Sequence, residues 1–137
     1  MTSAPVDLTI VFPAIRWCPE SRLTAAFTQM DNNLYRMEEG FLCGQISFGD
    51  VIEALPTDET GILRFSRRVQ RARMRRSCYV IPHSLVENPH FIELMKKITD
   101  LGGFAAVDFE GLFLIYLPNT CDLDVPRELG KISRTSR

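Results

Sequence analysis

The stretch Asn88-Pro-His-Phe91-Ile-Glu-Leu94-Met95-Lys-Lys-Ile98-Thr-Asp-Leu101-Gly102-Gly103 decides the fold class. Asn88 is a good N-cap, and Pro89 follows in the first turn, where its missing N–H is no loss. Phe91, Leu94, Met95, Ile98 and Leu101 then recur at the spacing of a single apolar helix face. Gly102-Gly103 supplies the left-handed stop. Behind it, Phe104–Glu110 reads as a strand with Phe104, Ala106 and Asp108 on one side and Ala105, Val107 and Phe109 on the other, and Gly111 leads into the wholly apolar Leu112–Leu117, which reads as a strand covered on both faces. Ahead of it, Ser77–Pro82 is a strand. Asp124 caps a last short helix over residues 125–132, with Pro126 in its first turn. From Ser77 onward the order is therefore strand, helix, strand, strand, helix. This is a ferredoxin-like unit without its closing strand.

The N-terminal half has a different period. Residues 6–15 and 23–30 are rich in β-branched and aromatic side chains, and Asp31-Asn32-Asn33 is a turn into 34–38. Phe41–Phe48, with its glycines, is expected to be a loop that packs aromatic side chains. Gly49-Asp50 opens the short strand 51–55, Pro56–Gly61 is a polar turn, and 62–69 runs back. Short strands divided by turns, with no helical period, predict a bent sheet or small barrel. The whole is expected to be α+β, with a β-rich part over residues 1–76 and a β-α-β-β-α part over 77–137 that share a core or dock closely.

The 137 residues carry 16 basic and 17 acidic side chains, and 45% are apolar, as in an ordinary globular domain. No apolar run approaches the roughly 20 residues that span a bilayer. The four cysteines, 18, 43, 78 and 121, form no CxxC pair, so no zinc site is expected. With no secretion signal visible, reduced and mostly buried thiols in a cytoplasmic protein are expected. No phosphate-binding loop is present, since Gly44 and Gly49 are too sparse, and no cofactor is expected. At Gly49-Asp50 the expectation is a tight turn in which the carboxylate bonds a nearby backbone N–H.

Two polar constellations are candidates for function. The first is residues 64–76, where Arg64, Arg67, Arg68, Arg71, Arg73, Arg75 and Arg76 occur with no acidic residue between them. The rest of the chain holds nine basic against 17 acidic residues, a net charge of -8. The segment separates two strand patterns, so it is expected to be an exposed β-hairpin. Arginine forks bind carboxylate and phosphate, which makes an acidic protein the expected partner and nucleic acid an alternative. The competing structural reading pairs these arginines with Glu38, Glu39, Asp58 and Glu59, or leaves them as a solvated edge. The second constellation is Asp108 with His83 and His90, a polar site between the two parts that would suit a small enzyme. In that reading Asp108 falls inside a strand, in reach of an arginine. Cys78 lies five residues before His83 but sits in an apolar strand pattern, where a thiol is more often a core residue. Glu110, Asp122 and Asp124 are explained by turn and capping roles.

An ordered set of segments carries a family resemblance: Ser21–Phe27, Leu34-Tyr35-Arg36, Phe41-Leu42-Cys43, Ile46-Ser47-Phe48-Gly49-Asp50-Val51-Ile52-Glu53-Ala54 and Gly61-Ile-Leu-Arg-Phe65. Leu101-Gly102 before Phe104, and Leu117-Pro118 before a short helix, extend it. Over residues 6–132 the chain resembles an uncharacterised bacterial domain of unknown function. The family's Ser-Gly-His/Asn-like turn after the Leu-x-Phe strand is replaced here by Ala72-Arg73-Met74. The resemblance implies a small β-rich domain and brings no activity with it. A non-catalytic binding or regulatory module is the function that the sequence favours.

Overall fold

A computed structural model of the 137-residue chain describes residues 4–40, 45–108 and 110–135. It is mixed α and β, and the chain divides into two compact units, Met1–Ala72 and Arg73–Arg137. Each unit has its own hydrophobic core.

The first unit is a meander of five strands: β1 (Val6–Phe12), β2 (Ser21–Asp31), β3 (Leu34–Met37), β4 (Val51–Pro56) and β5 (Ile62–Gln70). Successive strands pair antiparallel, and with an odd number the first and last run the same way. The ring closes through a parallel pair, Thr9 opposite Ile62 and Val11 opposite Arg64. The bent sheet or small barrel expected from the sequence is thus a closed barrel. Alternation along each strand turns Ile10, Phe12, Ala25, Phe27, Met37, Ile52 and Ala54 inward. The turn at Asp31-Asn32-Asn33 forms as expected, with Asn33 at φ 61° and the Asp31 carboxylate accepting from the Asn32 N–H at 2.8 Å. Of the aromatic loop at 41–48, residues 41–44 lie outside the described residues, while Ile46 is buried in the barrel core.

The second unit contains β6 (Met74–Val80), α1 (His83–Val86), α2 (Pro89–Asp100), β7 (Phe104–Val107), β8 (Leu112–Pro118) and α3 (Val125–Thr135). Its sheet is antiparallel in the order β6-β8-β7. The continuous apolar run of β8 is explained by its place in the middle. Phe113, Ile115 and Leu117 face the helices, and Leu114 and Tyr116 are buried on the opposite face. Asn88 caps α2 by accepting from the His90 N–H at 2.9 Å, and Gly102, at φ 89°, ends it. Gly103 is required for a different reason: a Cβ there would lie 2.2 Å from the Tyr116 carbonyl oxygen. The short α1 was not readable, because four residues carry no period.

Phe91, Leu94 and Ile98 of α2 are buried as expected, and Met95 packs beside them. Leu101 is the exception. It is 42% exposed, because it sits at the C-cap, where the chain leaves the helical spiral. Alanine at Leu94 or Ile98 is expected to cost about 2–4 kcal/mol in denaturant unfolding. A loss below about 0.5 kcal/mol at both would contradict this packing.

The thiols are not mostly buried: among the described residues Cys18 and Cys78 are exposed and Cys121 half-buried. Cys78 alternates with Tyr79 on β6, and it is Tyr79 that joins the helix-covered core.

Candidate functional site

The arginine run is not a hairpin. β5 pairs with β4 and β1, and β6 pairs with β8, so the two arginine-bearing strands belong to different sheets. Arg64, Arg67, Arg68 and Arg71 lie in the first unit, and Arg73, Arg75 and Arg76 in the second.

Arg67, Arg68 and Arg75 have work inside the fold. Arg68 reaches Asp50 at 3.4 Å. Asp50 is 1% exposed and also accepts from the Ser47 N–H at 2.9 Å and the Ala72 N–H at 2.8 Å. One buried carboxylate therefore fastens the turn before β4 to the end of β5. The local half of this was readable in Gly49-Asp50, where Gly49 takes φ 86°; the bonds to Arg68 and Ala72 were not. Arg67 lies 3.4 Å from Glu53 on the neighbouring strand. Arg75 donates to the carbonyls of Cys121 and Leu123, to the latter at 2.8 Å, and so holds the segment leading into α3.

Three of the four partners expected for the run are used elsewhere. Glu38 pairs with Arg36, Glu39 accepts from the Ala26 N–H, and Glu59 stands 4.0 Å from Arg22. Arg64, Arg71 and Arg73 are exposed, and among the described residues no carboxylate pairs with them. Arg76 is exposed as well.

The second constellation does not assemble. Asp108 is an exposed turn residue: its Oδ1 accepts from the N–H groups of Glu110 and Leu112, both at 2.9 Å, and shapes the β7–β8 connection. Extending the strand alternation through Asp108 overran the true end of β7 at Val107. His83 is exposed on α1, and His90 stands 3.9 Å from Glu93 on α2. Among the described residues no hydrogen bond or ion pair links any two of Asp108, His83, His90 and Cys78. Asp124 caps α3 by accepting from the Arg127 N–H at 3.1 Å, as its position implied.

Two surface features went unread in the sequence. Trp17 is 83% exposed at the tip of a turn between β1 and β2, closed by two backbone hydrogen bonds between Ile15 and Cys18, with the Arg16 guanidinium 5.2 Å from its ring centre. The available signal was its place between Pro13 and Pro19. The other is an open cleft of about 450 Å³ beside β6, lined by Arg75, Ser77, Tyr79, Leu117 and Val125 among others.

Among the described residues no helix is long and apolar enough to cross a membrane. No family model matches the chain, and no curated protein matches it. The chain is similar in structure to a hypothetical protein from Neisseria gonorrhoeae, with a TM-score of 0.54 and 11% sequence identity over 95% of this chain and 89% of that one. At that identity the likeness is one of fold, and the relative is itself uncharacterised.

Proposed function

We propose that the protein is a non-catalytic binding or regulatory module of the cytoplasm that uses arginines of the 64–76 segment to contact an acidic segment of a protein partner. The observation that carries this reading is the division of labour among the arginines. Arg67, Arg68 and Arg75 are engaged within the fold, whereas Arg64, Arg71 and Arg73 are exposed and, among the described residues, form no ion pair with a carboxylate. Guanidinium groups left in this state attract carboxylates and impose bidentate geometry on them. Nucleic acid is disfavoured because the rest of the chain carries a net charge of -8, which repels a polyphosphate as a whole.

The same proposal groups the chain with the uncharacterised bacterial domain that its ordered motifs resemble. It also treats the second unit as ferredoxin-like without a closing strand. Support for the latter is the sheet order, first strand beside third beside second, with helices after the first and third.

The test is a titration at about 50 mM salt, where screening is weak, with a fluorescein-labelled glutamate-rich dodecapeptide and, separately, a 12-base-pair duplex. Binding of the peptide that weakens as salt rises, and stronger than any binding of the duplex, is the expected result. No peptide binding would overturn the proposal. Tighter binding of the duplex would transfer the arginines to nucleic acid.

A further inference from the structure

We propose that the outer edge of β7 is a pairing surface for a second copy of this chain, joining the sheets of two second units into one across a two-fold axis. The register fixes which backbone groups face outward. The Asp108 N–H donates to the Leu112 carbonyl at 3.1 Å, so the even-numbered residues of β7 are the ones that exchange hydrogen bonds with β8. In an antiparallel pair such positions alternate. The N–H and C=O groups of Ala105 and Val107 therefore point away from β8, and among the described residues no strand pairs with that side of β7. Ala105, Ala106 and Val107 are each only half-buried. Phe104 turns its backbone groups toward β8 and adds nothing to this edge.

Charge and symmetry identify the occupant. Natural sheets guard an open edge with charged side chains, and β7, Phe104-Ala105-Ala106-Val107, has none. Two antiparallel copies centred on Ala106 place Ala105 of each opposite Val107 of the other. Every outward N–H then meets an outward C=O, and no like charges are opposed. The neighbouring helix supplies the rest of the contact. Phe91, Leu94 and Ile98 of α2 point into the core, while His90, Glu93 and Lys97 line a cleft shared with α3. The helical spiral puts Ile92, Met95 and Thr99 on the remaining flank, away from α3. Val125 of α3 lines a cleft with residues of β6, whereas α2 packs on β7, so this flank overhangs the β7 edge. Ile92 is 56% exposed there and Met95 is half-buried, with Lys96 and Asp100 further round toward solvent. A stable pair buries about 1,200–2,000 Å² in total, more than so short a strand provides, so the interface includes the apolar flank of α2.

The experiment uses the full chain under reducing conditions, so that exposed thiols form no cross-links. Sedimentation velocity is measured from about 10 µM to about 1 mM, and amide hydrogen exchange is followed residue by residue at both ends of that range. The expected result is conversion of monomer to dimer as concentration rises, with exchange at Ala105 and Val107 at least fivefold slower in the concentrated sample. Ile92→Lys places a like charge from each copy at the overhanging flank. Because Ile92 is exposed, this variant is expected to melt as the parent does and to dimerise at least tenfold more weakly. A chain that stays monomeric up to about 1 mM would overturn the proposal. A dimer that leaves exchange at Ala105 and Val107 unchanged would overturn it by placing the contact elsewhere. A dimer that Ile92→Lys does not weaken would overturn the part given to α2, and with it the interface as drawn.

Discussion

Asp50→Ala is expected to destabilise the first unit by about 3–5 kcal/mol, the loss typical of removing one partner from a buried charged pair. The carboxylate is 1% exposed and serves three donors: the Ser47 and Ala72 N–H groups and the Arg68 guanidinium. Alanine leaves both amides without an acceptor and strands the guanidinium beside an apolar methyl group. Asp50→Asn keeps a single acceptor oxygen and turns an NH₂ toward donors, so it should recover only part of the loss. Urea unfolding followed by circular dichroism measures both. A cost below about 1 kcal/mol for the alanine variant would mean that the barrel closes without this carboxylate.

Phe91→Ala is expected to have an effect of similar size in the second unit, about 3–5 kcal/mol. Phe91 is fully buried, and its ring meets Phe113 edge-on with centroids 4.8 Å apart. Truncation removes the ring's apolar burial together with that contact, and the cavity is closed in by Leu94 and Ile98 on the same helix face. Phe91→Leu fills most of the space and should lose clearly less. Equal losses for the two variants would show that shape at this position matters little.

The parts of the fold that the sequence disclosed are those whose signals are local. Asn88, Pro89 and Gly102 mark the ends of α2 with side-chain and backbone chemistry confined to a few residues, and β8 announces its double burial by having no polar face. The arginine run misled for the converse reason. Two arginine-bearing strands joined by a short connection look like a hairpin, but pairing is settled by distant partners. β5 fits between β4 and β1, and β6 beside β8. Asp50 shows the same division within one side chain. Its bond to Ser47 spans three residues and was foreseen, while those to Arg68 and Ala72 span 18 and 22 and were not. Asp108 and Cys78 were misplaced because alternation gives the side of a strand but neither its end nor which side the helices cover. Trp17 carries no period, and beyond its place between Pro13 and Pro19 it is its exposure in the folded chain that sets it apart.

The most direct test of the central claim, that this fold sorts its arginines into structural and available sets, compares two variants in one experiment: Arg64→Gln/Arg71→Gln/Arg73→Gln and Arg68→Gln/Arg75→Gln. Thermal unfolding and binding of the glutamate-rich dodecapeptide are measured on each. The account predicts that the triple variant keeps its melting temperature within about 2 °C, as surface changes usually do, and binds at least tenfold more weakly. It predicts that the double variant melts several degrees lower, since a loss of about 1 kcal/mol shifts a small domain by roughly 4–8 °C, yet still binds the peptide when folded. The opposite pattern, with binding lost only in the double variant and stability lost only in the triple, would contradict it.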